Sequence, residues 1–174
     1  FCDRIVGEKI DLDFPSVGAT ENIILASVLA EGKTVITNAA REPEIVDLVN
    51  MLKKMGAIIS GEGTNIIQIE GVKELKEVKY RIMPDRIETG TFLCAGAITG
   101  GKIKVTNCIP EHIVPITSKL EEAGCNILIE KNSIELKAPT RLKAVELKTM
   151  PYPGFPTDMQ SIFGTVLSVS KGTS

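Results

Sequence analysis

The chain has 174 residues, 43% of them hydrophobic and only 4% aromatic, and its formal net charge is −2. So slightly acidic a balance, with no run of Lys or Arg, lacks the electrostatic footprint of a nucleic-acid binder. No apolar stretch reaches membrane-spanning length and no signal peptide is visible, so the composition points to a cytoplasmic protein with an aliphatic α/β core.

The first repeated stretch begins at Phe14 and reads FPSVGATENIILASVLAEGKTVITNAA. A strand should lead to Pro15, Ser16 should cap a helix, Gly32 should end it, and TVIT should form the next strand. A second helix is expected over EIVDLVNMLKKM, where Ile45, Leu48, Val49, Leu52 and Met55 recur at helical spacing and make one face apolar. Arg41, Glu42 and Glu44 precede or open it, and Pro43 suits a first helical turn. Gly56 closes the helix, and AIIS and NIIQIE read as two strands.

The pattern then returns. MPDRIETGTFLCAGAITGGKIKVTNCI begins at Met83 and FPTDMQSIFGTVLSVSKGTS at Phe155. Pro15 and Pro84 are 69 residues apart, Pro84 and Pro156 72 apart; Gly32 and Gly101, and Asn38 and Asn107, repeat the spacing of 69, and Gly56 and Gly124 lie 68 apart. Similarity at a fixed period marks a repeated supersecondary unit. In the second copy HIVPITSKLEEA is the amphipathic helix, with NILIE and SIELK as its two strands; His112, the only histidine, is read there as a helix-start residue without a catalytic role. The fold class is therefore α/β, built from βαβαββ units. The first helix of each unit (ENIILASVLA, TFLCAGAI, SIFGTVLSVS) is apolar nearly all round, which predicts burial on every side and a central cluster. The third unit stops after its first helix, so a longer polypeptide is expected.

The repeat sets Ser16, Asp85 and Thr157 at one position, each a good N-cap residue, and Asp85–Glu88 and Thr157–Gln160 fit capping-box spacing. Two readings stand side by side. The three are caps and nothing more, or three helix N-termini offer free N–H groups and a positive dipole end to phosphate or carboxylate ligands. Gly18 in the turn PSVGAT would permit close backbone approach. With Thr157 taken as the cap, Asp158 is surplus: either a dipole-stabilising carboxylate or one aimed at a ligand. Arg86, beside Asp85, sits before an apolar run. Cys2, Cys94, Cys108 and Cys125 are too far apart for a metal knuckle and read as reduced core residues. No GxSxG, P-loop or GxGxxG occurs.

The segments SVGATENI, NAAREPEIVDLVNMLKKMGA, PDRIETGTF and FPTDMQ closely resemble the UDP-N-acetylglucosamine 1-carboxyvinyltransferase family of enolpyruvyl transferases, and the resemblance covers essentially the whole chain. It implies inside-out α/β barrel domains, here an incomplete portion of two: residues 1–83 closing the first and 84–174 opening the second, with substrates bound between them. It implies transfer of enolpyruvyl from phosphoenolpyruvate to the 3-hydroxyl of UDP-N-acetylglucosamine in peptidoglycan synthesis, with no metal or other cofactor, no nucleic-acid partner and no membrane. Partners would be the two substrates and the rest of the parent chain; the segment alone should be inactive. Carried over, Ser16, Val17 and Gly18 hold the uridine diphosphate, Asp158 is a candidate general base at the sugar hydroxyl with Thr157 beside it, Asp85 and Arg86 form a charged pair at the site, and Glu42 and Glu44 lie near it. The family's frequent Lys before the turn is Phe14 here, and its reactive Cys/Asp loop matches none of the four cysteines. The shikimate-pathway enolpyruvyl transferase, RNA 3′-phosphate cyclase and a non-catalytic repeat scaffold are the competing readings; the acidic balance disfavours the cyclase.

Overall fold

The computed structural model describes residues 4–174; Cys2 lies outside the described residues. The chain divides into two compact units, one up to Met83 and one from Pro84 onward. Each has its own aliphatic core.

In the first unit, β1 (Lys9–Asp11) runs parallel to β2 (Lys33–Thr37), and β4 (Ile66–Glu70) pairs antiparallel with both β2 and β3 (Ile58–Ser60), giving the sheet order β1-β2-β4-β3. Along β4 the residues alternate exposed and buried, so Ile67 and Ile69 enter the core beside Ile36 and Ile59. Two helices pack on that core. Helix α1 spans Val17–Ser27 and α2 spans Pro43–Lys54; α2 buries Ile45, Val49 and Leu52, the apolar stripe expected from the sequence. Gly56 (φ 104°) ends α2 in a left-handed turn, and the Ala57 N–H donates to Leu52 C=O at 3.0 Å.

The second unit repeats this plan. Helix α3 (Arg86–Ile98) is followed by β5 (Lys102–Thr106), a 3₁₀ turn at Pro110–Ile113, α4 (Val114–Glu122), β6 (Asn126–Glu130) and β7 (Ser133–Lys137). Here β7 is central, antiparallel to both neighbours, in the order β5-β7-β6. Helix α5 (Gln160–Ser168) belongs to the third repeat. Asn38 (φ 54°) and Asn107 (φ 57°) both turn the chain after the short strand.

Two expectations need correction. The strand expected before Pro84 is not formed: residues 71–85 carry no helix or strand. Residues 71–83 run instead as a strap along the first unit, with the Val72 N–H bonded to Val28 C=O, the Lys76 N–H to Met55 C=O and the Met83 N–H to the Asp47 carboxylate. In the third repeat the leading strand shrinks to isolated parallel bridges, Lys143 with Lys171 and Thr149 with Phe155. Left-handed backbone at the end of α3 falls at Gly100 (φ 66°).

The apolar first helices are also not buried on every side. Helix α1 buries Thr20, Ile24 and Ser27 but leaves Leu25 51% exposed, whereas α3 buries seven residues, Gly90, Leu93 and Gly96 among them. The reason is packing area: the sheet covers one face, and a second face is covered only where another such helix lies alongside. Helix α3 has α5 as that neighbour, with Phe163 fully buried in their shared core.

Candidate functional site

In the first unit, Ser16 is the N-cap of α1, with extended backbone (φ −79°, ψ 124°) and its Oγ accepting from the Ala19 N–H at 3.3 Å. The Thr20 N–H donates to Ser16 C=O at 3.0 Å, the first bond of the helical ladder. The N–H groups of Val17 and Gly18 therefore precede any intrahelical acceptor and are available to an anion. Gly18 is exposed, a Cβ added to it would meet nothing within 4 Å, and its φ is not positive. Neither packing nor backbone strain demands glycine there, which leaves open approach as the property a side chain would remove. Phe14, two residues before the cap, is 62% exposed.

Glu42 is the N-cap of α2, 7% exposed, with Pro43 opening the helix and Glu44 in its first turn. The structure brings this second helix start against the first through a residue that sequence reasoning passed over. Thr20 is fully buried; its Oγ1 donates to Ser16 C=O at 2.8 Å and accepts from the Ala40 N–H at 3.0 Å. One hydroxyl thus ties the turn Ser16–Gly18 to the loop that carries Arg41 and Glu42. Asn38 adds a second tie, its Nδ2 donating to Leu12 C=O at 2.8 Å. The available signal was the repeat: Thr20 and Thr89 are 69 apart, and Thr89 Oγ1 donates to Asp85 C=O at 2.9 Å. Thr20→Val should destabilise the first unit by about 1–3 kcal/mol, because it leaves a buried N–H without its acceptor. Thr20→Ser should recover most of the loss in denaturant unfolding.

In the second unit, Asp85 caps α3: its carboxylate accepts from Ile87 N–H at 2.7 Å and Glu88 N–H at 3.1 Å. Arg86 is buried, its guanidinium 5.8 Å from the centroid of the Tyr152 ring, a cation–π contact that holds the charge inside the unit. Thr157 does not cap its helix, contrary to the sequence reading. It lies in a 3₁₀ turn, Thr157–Met159, with Pro156 in the cap position, and α5 starts only at Gln160. The cause is Met159, which is fully buried and within 3.1 Å of a Cβ built on Gly90 of α3. Anchoring Met159 there tightens the entry turn, puts it beside the N-terminal half of α3, and leaves Thr157 and Asp158 exposed.

The three described cysteines are buried and unbridged. Burial, with Cys125 nearby, pushes the Cys94 thiol up to about 12; burial alone takes Cys125 to about 11, and burial with the Glu111 carboxylate nearby raises Cys108. None is a thiolate at neutral pH, so none is a nucleophile. His112 sits in the 3₁₀ turn before α4. Among the described residues no cluster of His, Cys, Asp and Glu could hold a metal ion, and no helix is long and apolar enough to cross a membrane.

The sequence profile of EPSP synthase (3-phosphoshikimate 1-carboxyvinyltransferase) matches residues 3–174. The chain belongs to the EPSP synthase family. Within that family it is 56% identical over 171 residues to UDP-N-acetylglucosamine 1-carboxyvinyltransferase 1 of Caldanaerobacter subterraneus subsp. tengcongensis, and 52% identical over 174 residues to UDP-N-acetylglucosamine 1-carboxyvinyltransferase of Finegoldia magna. These alignments take in 98% and 99% of this chain and 41% of each relative, so the chain spans well under half the length of the curated relatives it matches. In fold it is similar to the enolpyruvyl transferase NikO from Streptomyces tendae, with a TM-score of 0.84 at 22% identity, covering 98% of this chain and 44% of that one. EPSP synthase from Acinetobacter baumannii is a more distant likeness, TM-score 0.58 at 24% identity over 83% of this chain and 34% of that one. The α/β class read from the repeats is that of these family members.

Proposed function

We propose that the protein carrying this chain transfers the enolpyruvyl group of phosphoenolpyruvate to the 3-hydroxyl of UDP-N-acetylglucosamine, releasing phosphate, as the first committed step of peptidoglycan synthesis in the cytoplasm. The observation that carries this reading is identity of 52–56% across nearly all of the chain to proteins named for that activity. In this reading residues up to 83 close a first enolpyruvyl-transferase domain and residues 84–174 open a second.

The roles follow the chemistry of each site. The Val17 and Gly18 N–H groups, with the Ser16 hydroxyl, hold the diphosphate, where a helix N-terminus favours negative charge. Glu42 flanks that turn through the Thr20 tie. Asp158 accepts the proton of the sugar 3-hydroxyl as it attacks C2 of phosphoenolpyruvate, and Thr157 helps to orient the sugar. Asp85 and Arg86 stand at the start of α3 as proton-handling and charge-stabilising groups. Addition at C2, with a proton taken up at C3, gives a tetrahedral intermediate; loss of phosphate together with a C3 proton restores the double bond as an enol ether. Orientation, proton transfer and stabilisation of developing charge are what the residues contribute. The other member of the family named by its profile acts on 3-phosphoshikimate, and it is the second reading.

The deciding experiment is phosphate release by the full-length protein with each acceptor. Release with UDP-N-acetylglucosamine and not with 3-phosphoshikimate is expected; the reverse overturns the proposal. Gly18→Val adds a local test. A Cβ at this position meets nothing within 4 Å, so folding should change by less than about 1 kcal/mol. Affinity for the nucleotide sugar should fall roughly tenfold, an effect of about 1.4 kcal/mol. Unchanged affinity by calorimetry counts against the diphosphate at this turn.

A further inference from the structure

The strap of residues 71–83 is tied to the first unit at successive points. The Val72 N–H donates to Val28 C=O at 2.9 Å, just beyond the C-terminal end of α1, and the Lys76 N–H donates to Met55 C=O at 2.7 Å, at the C-terminal end of α2. Leu75 packs on the core between them. The chain then runs back along α2. Tyr80 Oη donates to Asp47 Oδ1 at 2.7 Å and lies 3.2 Å from Asp47 C=O, and the Met83 N–H donates to Asp47 Oδ2 at 3.3 Å. The Lys54 ammonium stands 4.8 Å over the Tyr80 ring and holds its other side. Hydrogen bonding to the Asp47 carboxylate also keeps the Tyr80 phenol above its usual range.

Asp47 lies on the polar flank of an amphipathic helix, where a solvated carboxylate would serve folding as well. Its two oxygens instead hold two points of the strap, a phenol and a backbone amide three residues apart. The second point is the last residue of the first unit, and Asp85 caps α3 two residues later. Among the described residues, the strap from Val72 to Met83 has backbone bonds only of this sparse kind and no ladder. Its order therefore depends on a few side-chain contacts.

We infer that Asp47 is a positioning residue: it clamps the strap at Tyr80 and Met83, so that the backbone freedom of the connection into the second unit is confined to the few residues between Met83 and the α3 cap. The inference rests on the proposed function in one respect, that Asp85 and Arg86 serve the substrates. With the clamp in place those residues start from a short, defined tether. Without it the tether lengthens by most of the strap, and substrate binding has to order residues that are now mobile.

The test uses the full-length protein and four variants, one of them double. Asp47→Ala should speed hydrogen exchange at the Met83 amide and tryptic cleavage after Lys79 and Arg81 by about tenfold or more, with the melting temperature little changed. It should also raise the Kd for UDP-N-acetylglucosamine about tenfold. Tyr80→Phe removes one of the two ties and keeps the ring under Lys54, so it should show a smaller effect in the same direction. Combined with Asp47→Ala it should add nothing further. Asp47→Asn should keep the Tyr80 bond through its amide oxygen and lose the Met83 bond, falling between wild type and Asp47→Ala. Unaltered exchange and cleavage in Asp47→Ala overturn the clamp. Faster exchange with an unaltered Kd overturns its positioning role. Failure of the functional reading is separately visible as a wild-type protein that binds no nucleotide sugar, and the exchange and cleavage rates then still decide the clamp.

Discussion

Asp158→Asn in the full-length protein should lower kcat by about 10²–10⁴-fold while the KM for UDP-N-acetylglucosamine changes little. Asn keeps the size of Asp and can still accept a hydrogen bond, so the sugar should stay bound; it cannot take up a proton at neutral pH, so the base is lost. The competing role is structural: an acidic residue in the entry turn of α5 interacting with the helix dipole. That role is worth about 0.3–1 kcal/mol and predicts a lower melting temperature with turnover intact. The structure sharpens the contrast. Thr157 is not the cap, so the capping argument for a surplus Asp158 falls; what remains is its exposure in a turn whose neighbour, Met159, is fully buried and supplies the packing. Near-normal kcat in a variant with a lowered melting temperature would reject the catalytic role.

Phe163→Ala should cost the second unit about 3–5 kcal/mol. Phe163 is the largest fully buried side chain there, and its ring meets Phe155 edge-on, with centroids 5.4 Å apart and an interplanar angle of 80°. It lies in the core that α5 shares with α3, and no small rearrangement refills a ring-sized cavity between two helices. The chain has no Trp and only two Tyr, one in each unit, so Tyr152 is a natural probe of the second unit and Tyr80 of the first. Denaturant unfolding should show the Tyr152 signal shifting to lower denaturant. A midpoint unchanged within error would mean that α5 contributes no stability to this core.

Much of the fold could be read from period and punctuation. The 69-residue spacing, the 3.6-residue stripe of Ile45, Val49 and Leu52, and the glycines at 56 and 124 each encode a local conformation, and each was found where expected. Ser16 and Asp85 cap helices for the same reason: a cap is satisfied within three residues of itself. Thr157 fits the same rule and fails: its turn is 3₁₀, and the fully buried Met159 of that turn packs beside Gly90 on another helix, a contact that no local rule encodes. Of the candidate site, the sequence marked Ser16, Val17, Gly18, Glu42, Asp85, Arg86, Thr157 and Asp158. It did not mark Thr20 or Asp47, whose partners lie 20 residues away at Ala40 and about 35 away at Tyr80 and Met83.

What the sequence by itself determined about this protein is its repeat, its α/β class, the caps of α1 and α3 and its resemblance to the enolpyruvyl transferases, since all of these are written in local spacing or in motifs. Only the tertiary structure decided which face of each apolar helix is covered, that the segment before Pro84 is a strap and not a strand, and that Thr20 and Asp47 fasten distant pieces of chain. Burial and pairing depend on which surfaces meet, and a hydrogen bond across 20 or more residues leaves no period in the sequence.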